Sequence, residues 1–398
     1  MTSTADRVGR AREQASLDAK APFYRGGSRA KPARRRFLAV GDPQAPLETL
    51  LRVLDGHGTL SDDGRLRAEV HLVSMGDHFD WGGRSEREGA ARSSLETLAW
   101  LAAHPPDQVT LLVGNHDLAR VGELVGFSDR DFSLAQSAAD RIYAMGAYDP
   151  SGDAVFRRRY PNLPGAEAAA RDFSTFRAAQ RDWVASLLRH RRFCAALAPA
   201  ESVLLSHAGV TRQDLEAIGL EPARQWNAPA VAEALNARLD EAVLAWDGLA
   251  PLHVPPIHQA GSAGGEARGI FCHRPSDGRT GDPRLFEGPP RRRFDPRDLP
   301  SGLVQAIGHI RDGKCRELMR SWALPEAKGD TGSLRHLVVR DEGVVYQRGL
   351  PPKASGARAT LLFLDGGMGK VEPGSYELLD VGRMAVASRG EAPLEAAP

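Results

Sequence analysis

Five short apolar runs in this chain stop at the same kind of place, and that repetition restricts the fold more than any bulk property. Phe37-Leu-Ala-Val40 runs into Gly41-Asp42, Val70-His-Leu-Val-Ser-Met75 into Gly76-Asp77, and Val109-Thr-Leu-Leu-Val113 into Gly114-Asn115. Ser202-Val-Leu-Leu205 runs into Ser206-His207, and the run from Leu303 to Ile307 into Gly308-His309. Short apolar stretches bounded by such residues read as buried strands. Between the first three, Leu47 to Leu54 and Arg92 to Ala103 carry apolar residues at helical spacing. Strand, helix, strand, helix, strand implies a parallel sheet covered by helices. In such sheets functional groups gather at the carboxyl ends of the strands. Here each strand end delivers a side chain able to ligate a metal, and the glycines let the chain turn sharply there.

The rest of the chain divides by composition. Residues 1–36 are polar and rich in Arg and Ala, and read as a tail lying loosely on the surface. They lack the apolar core of a secretory signal, and Asp6, Glu13 and Asp18 argue against a transit peptide. Residues 37–398 form the domain. Within it, 118–200 carry Ala, Arg and aromatics at helical spacing and read as a helical cap insertion. A further helix is expected over 229–247. Residues 250–300, rich in Pro, Gly and Arg, read as a loop-rich insertion. Strands are expected at 334–339, 344–346, 359–364 and near 384–387. No internal repeat is visible.

With a formal net charge of +1, the chain offers no overall field for nucleic acid or an acidic membrane, so any preference for phosphate must come from a local site. No run of about 18 apolar residues occurs, so no membrane span is expected. Cys194, Cys272 and Cys315 are scattered, which suggests free thiols in a reducing compartment and hence the cytoplasm.

Gly41-Asp-Pro-Gln44, Gly76-Asp-His-Phe-Asp80, Gly114-Asn-His-Asp117, Ser206-His-Ala-Gly209 and Gly308-His309 together offer carboxylates, amide oxygens and imidazoles. Mixed nitrogen and oxygen ligands suit Mn, Fe, Co, Ni or Zn. One shared carboxylate can hold two ions about 3.5–4 Å apart. In order and content these blocks resemble the calcineurin-like metallophosphoesterase superfamily, whose signature is Asp-x-His, Gly-Asp-x-x-Asp, Gly-Asn-His-Asp/Glu, His and Gly-His. The resemblance covers most of residues 37–370. Ser206-His-Ala-Gly209 and the single final Gly-His are most similar to the bacterial phosphoprotein phosphatases and the symmetrical diadenosine tetraphosphatases.

The resemblance implies an α/β fold, an αββα sandwich of two mixed sheets flanked by helices. It also implies two divalent metal ions, manganese first among Mn, Fe, Zn, Co and Ni, and a metal-bound hydroxide as nucleophile. Asp42 and Gln44 would bind the first metal. Asp77 would bridge both, and Asn115, His207 and His309 would bind the second. His116 would protonate the leaving oxygen, oriented by Asp80. Gln44 departs from the usual His, and an amide oxygen ligates more weakly than imidazole. It resembles the Gly-Asp-x-Gln form of the diadenosine tetraphosphatases. Trp81 stands where the protein phosphatases have a phosphate-binding Arg, and Arg311 where diesterase branches often have a final His. Arg84, Arg120 and Arg274 are candidates to replace the missing phosphate clamp. Arg291-Arg-Arg293 reads as a mainly solvated charge run in a loop. His78 and the adjacent Cys272-His273 are not expected to ligate.

The reading is hydrolysis of a small phosphorylated substrate, a phosphomonoester or nucleotide-like polyphosphate, with no nucleic-acid or membrane partner. The alternatives are a serine/threonine protein phosphatase and an inactive fold serving as a binding module.

Overall fold

The structure, a computed structural model, describes residues 2–21, 35–143, 149–278, 282–326, 329–352 and 356–390. Ten helices are described: α1 (Thr4–Asp18), α2 (Leu47–Gly56), α3 (Arg87–Ala102), α4 (Asn115–Ala119), α5 (Asp129–Ile142), α6 (Pro150–Arg159), α7 (Ala178–Arg189), α8 (Arg212–Ala217), α9 (Ala228–Ala245) and α10 (Asp312–Met319). The strands are β1 (Arg36–Val40), β2 (Val70–Ser74), β3 (Val109–Leu112), β4 (Phe193–Cys194), β5 (Ala196–Ala200), β6 (Val203–Ser206), β7 (Arg274–Pro275), β8 (Arg293–Phe294), β9 (Val304–Ile307), β10 (Arg335–Arg340), β11 (Gly343–Arg348), β12 (Ala359–Phe363), β13 (Leu379–Asp380) and β14 (Ala385–Val386).

They build two six-stranded sheets, β14-β13-β1-β2-β3-β4 and β11-β10-β12-β9-β6-β5, and a two-stranded ribbon, β7-β8. In the first sheet β1 to β4 run parallel and β13 runs antiparallel to β1. In the second, β12, β9 and β6 run parallel and β10 antiparallel. The expected sandwich of two mixed sheets flanked by helices is therefore the observed fold.

Why the strands are apolar throughout follows from the layering. Successive side chains alternate faces, and here both faces are buried. Ala39, Val73 and Leu112 meet Leu205, Ala306 and Leu362 between the sheets. Their neighbours Leu38, Leu72 and Leu111 point to the helix layer, against Leu50, Leu54, Leu98 and Leu101. On the far side, Ile307, Leu361 and Phe363 pack on Cys315 and Met319 of α10. The carboxyl ends of β1, β2, β3, β6 and β9 come together at one end of this sandwich.

Several elements differ from the sequence reading. The N-terminal segment is not a loose tail over its described part. Thr4–Asp18 is a helix whose Val8, Ala11 and Ala15 are buried against the core. Arg7 pairs with Asp55 and Asp18 with Arg65, each at 2.6 Å. The stripe is narrow and built mostly from alanine, so composition concealed it. Residues 22–34 of that segment lie outside the described residues. The helix expected from Arg92 begins at Arg87. The cap is smaller than 118–200: α5, α6 and the π-helical turn Ala168–Asp172 share a separate core with Phe132, Phe156, Phe173 and Phe176, whereas Val184 and Leu187 of α7 join the main one. Among the described residues no helix is long and apolar enough to cross a membrane.

Candidate metal centre

Asp77, His207 and His309 are buried, and each offers a ligand atom within 4.8 Å of the others. Two of the three sit on strained backbone. Asp77 has φ 55 and His309 φ 69, and nearby Asp80 has φ 65. A non-glycine residue held there costs about 1–3 kcal/mol and persists only where its surroundings fix it. Asp117 supplies part of that constraint. Its carboxylate accepts the backbone N–H groups of Asp77, His78 and Gly114 at 2.9–3.1 Å. Glycine is needed at Gly114 and Gly308 for a steric reason: a Cβ on the first would collide with the Asp77 carboxylate, and on the second with that of Asp42.

The hydrogen bonds leave lone pairs facing one another. His207 Nδ1 lies 2.8 Å from the Met75 carbonyl, which can only accept, so that nitrogen carries the proton. His207 Nε2 then faces Asn115 Oδ1 at 3.1 Å and Asp77 Oδ2 at 3.4 Å. In a neutral ring this sets a lone pair against two further acceptors. Without a cation the conflict is relieved by protonating His207. Burial opposes that, but the Asp77 charge and hydrogen bond raise its pKa. His309 has no such relief. Its buried Nε2 has no partner, and burial, with the charges of Arg274 and His207, holds the ring well below its ordinary value. Asp42 accepts the His309 N–H at 3.0 Å on both oxygens. Burial, with Asp365 and Asp77 nearby, pushes its carboxyl well above the usual range. Buried acceptors without donors are costly, and a divalent cation is the group that satisfies nitrogen and oxygen lone pairs together. The residues present fit such an ion. Gln44 donates its side-chain amide to the Phe79 carbonyl at 2.8 Å, so any ligation by Gln44 is through its oxygen.

His116 stands beside this set. Its N–H donates to Asp77 Oδ1 at 2.8 Å, its Nδ1 lies 2.9 Å from Asp80 Oδ2, and its Nε2 is 4.0 Å from Asp77 Oδ2. Burial would lower its pKa, but Asp77 and the bond to Asp80 outweigh this and raise it to about 9. Asp80 is itself held from all sides. Arg120 forks onto it at 2.5 and 3.0 Å, and Thr175 donates through both its N–H and its hydroxyl.

The three arginines singled out as phosphate clamps are placed very differently. Arg120 is wholly buried, stacked 4.4 Å over the Phe79 ring and hydrogen-bonded to Asp80 and Gln180. It supports Asp80 and has no free face for a ligand. Arg84 is exposed and pairs at 3.2 Å with Asp140 of the cap. Arg274 is half-buried on the ribbon, with no ion pair among the described residues. Trp81 donates its indole N–H to Ser94 at 2.9 Å. His78 bridges Ser74 and Asp117 at 2.9 and 3.1 Å, which explains its conspicuous place between two aspartates without ligation.

Sequence reasoning passed over several residues that shape this region. Asp117 is the last residue of the Gly-Asn-His-Asp block, so a signal was present but carried no role. Thr175, Gln180 and Asp172 had no signal, since they reach the site only by the return of the cap. Asp172 ends the π-helical turn, exposed to solvent and within electrostatic reach of His116 and Arg274. The run Arg291-Arg-Arg293 is not solvated as a unit. Arg291 is buried, donating to Thr211 and pairing with Asp214 at 3.3 Å, because its segment folds back over α8.

Comparisons with known proteins add the following. No curated protein matches the chain. Among solved structures, a cold-active protein tyrosine phosphatase is 15% identical, over 92% of this chain and 77% of that one, with a TM-score of 0.36. The cold-active protein-tyrosine phosphatase of a psychrophile, Shewanella sp., is 16% identical, over 87% and 75%, with a TM-score of 0.35. Residues 35–231 match the family model described as calcineurin-like phosphoesterase, a span that carries Asp42, Asp77, Asn115, His116 and His207 and stops short of His309.

Proposed function

We propose that the chain hydrolyses a phosphoester at two divalent cations held between the ends of β1, β2, β3, β6 and β9. The observation that carries this reading is the meeting of the Asp77, Asn115 and His207 side chains through acceptor atoms, with the buried His309 Nε2 beside them left without a partner. Asp42, Gln44 and Asp77 would hold one ion, and Asp77, Asn115, His207 and His309 the other, manganese being the first candidate. Bound there, the ions supply charge for the phosphoryl oxygens and water activated near neutral pH.

The protein's own groups do the rest. His116 Nδ1 is engaged by Asp80, so its proton is delivered from Nε2, the atom on the Asp77 side. The charge of Asp80 and its bond to Nδ1 favour the protonated ring, as an acid for the leaving oxygen requires. Asp80 positions that ring, and Arg120 positions Asp80. Arg274 is the phosphate clamp in this reading, since its guanidinium is uncommitted and its charge is felt at His309. The substrate would be a small phosphorylated compound, either a monoester or a nucleotide-like polyphosphate, met in the cytoplasm.

The test is metal-stripped protein assayed with p-nitrophenyl phosphate and bis-p-nitrophenyl phosphate, with Mn, Ni, Zn, Co or Mg restored in turn. Turnover that returns with metal supports the reading, and the preferred compound separates monoesterase from diesterase. Bound ions with no turnover on either compound would turn the reading toward a narrow substrate such as a dinucleotide, or toward an inactive binding module.

A further inference from the structure

We propose that Arg293, beside Arg274 on the β7-β8 ribbon, binds a second phosphoryl group of the substrate. The proposal rests on the hydrolase reading of the adjoining centre and narrows its substrate class to compounds carrying more than one phosphoryl group.

The ribbon is parallel, with Arg274 directly across from Arg293. Like charges placed opposite one another on a ladder repel, so this pairing needs a compensating anion. No direct partner is supplied: neither guanidinium has an ion pair or a hydrogen bond among the described residues, and Glu317, paired with Lys314, acts on both only at longer range. Both side chains are half-buried, and the Nη1 of Arg293 is a buried donor without a partner. Their neighbours are committed elsewhere. Arg291 is paired with Asp214, Arg292 with Glu266, and Glu317 with Lys314 at 2.6 Å.

The ribbon is anchored beside the metal ligands. The Phe294 ring lies 4.5 Å from His273 and shares a buried cluster with Ile307 and Ile310, which flank Gly308-His309. Electrostatics agree with this placement: burial lowers the Arg293 pKa, with Arg274 and Arg292 adding to it, and Arg274 is felt at His309 and Asp172. A single phosphoryl group at the metals would engage Arg274 and leave Arg293 uncompensated. A guanidinium fork matches phosphate oxygens in geometry and charge, and a phosphoryl dianion outbids a lone carboxylate for two adjacent cations.

Two kinds of compound carry that chemistry, a polyphosphate chain and a bisphosphate with separated groups. The experiment is calorimetric titration of the metal-loaded protein, with metal content measured after each run. Inorganic tripolyphosphate is compared with inorganic phosphate, and adenosine 3′,5′-bisphosphate with adenosine monophosphate. At least one of these multiply phosphorylated probes should bind roughly 10- to 100-fold tighter than its reference, the range expected for charge-assisted hydrogen bonds. Arg293→Gln should abolish that advantage while leaving inorganic phosphate unchanged, and Arg293→Lys should restore part of it. The proposal is overturned if neither probe shows an advantage, if Arg293→Gln leaves it intact, or if the variant weakens both members of a pair equally. Because binding is read directly, this result is separate from the turnover assay that tests the hydrolase reading.

Discussion

The floor and the rim of the centre are built on opposite principles. On the floor, the carboxylates and His207 are fixed by backbone. Asp77 and Asp117 accept main-chain N–H groups, His207 is tied to the Met75 carbonyl, and glycine clears the space around the carboxylates. On the rim, side chains hold side chains. Arg120 and Thr175 hold Asp80, Arg84 and Arg87 hold Asp140 of the cap, and the ribbon leaves Arg274 and Arg293 uncommitted. A floor of this kind imposes one geometry on whatever ions it holds. A rim of this kind can be rewritten residue by residue without disturbing the strands. The contrast teaches where chemistry and selectivity would separate in such a site.

The comparison can be broken at its strongest point first. Asp77→Asn removes the carboxylate shared by the whole floor, so metal content and turnover should be lost together. Wild-type turnover in that variant would remove Asp77 from the bridging position. His116→Ala should lower kcat by about 10²–10⁴-fold with metals retained, and by less for substrates with good leaving groups. An equal loss for every leaving group would count against an acid role.

Asp80→Asn probes the border between the two regions. His116 acts as an acid only while protonated, so activity falls as pH rises through its pKa, which Asp77 and Asp80 raise to about 9 in the metal-free protein. Bound cations neutralise Asp77, so the alkaline limb should lie at or below that value, and losing the Asp80 charge should move it lower still. A limb that stays in place would exclude Asp80 as the partner that tunes the ring.

Glu123 offers a test on the rim alone. Its carboxyl is buried, accepts the Gly261 N–H at 2.7 Å on one oxygen, and is raised by burial to about 7. The folded protein therefore keeps a proton that the unfolded chain gives up near the ordinary carboxyl value. Stability is full below that value and declines as pH rises through about 7. Glu123→Gln keeps the acceptor and removes the charge, so the variant should match wild type near pH 4.5 and exceed it at pH 8 by up to about 3 kcal/mol. Denaturant midpoints at the two pH values measure this, and an unchanged slope would show that Glu123 does not cause the decline. The smallest effect is expected at Gln44→His, which should modestly improve metal retention if Gln44 ligates; a titration with no change would take Gln44 out of the first metal position.

How far the molecule could be read in advance follows the same division. The strand ends were legible because both faces of each strand are buried. That forces continuous apolar runs, and the Gly-Asp and Gly-Asn turns interrupt them visibly. Helix α1 was not, because a stripe of Val8, Ala11 and Ala15 is too slight to register against so many charges. Arg120 was misjudged for a related reason. An arginine three residues beyond a motif looks the same in sequence whether it faces a ligand or, as here, lies buried beneath an aspartate. The paired strands β7 and β8 are two residues each, too short for any periodicity, and they lie in a segment that composition marks as loop.

The sequence by itself determined the helix-covered parallel strands, the order of their functional ends and the donor types gathered there, while the two-sheet sandwich was implied by the family resemblance. The strand ends depend on continuous apolar runs, on glycine at turns and on residue chemistry, all of which are written along the chain. Only the tertiary structure decided which arginines are supports and which are free, that Asp117 fixes the Asp77 turn, and that the cap returns Thr175 and Asp172 to the centre. Those relations join residues tens to hundreds of positions apart, and a charged side chain takes its role from the partner that desolvates or neutralises it, which no neighbour in sequence reveals.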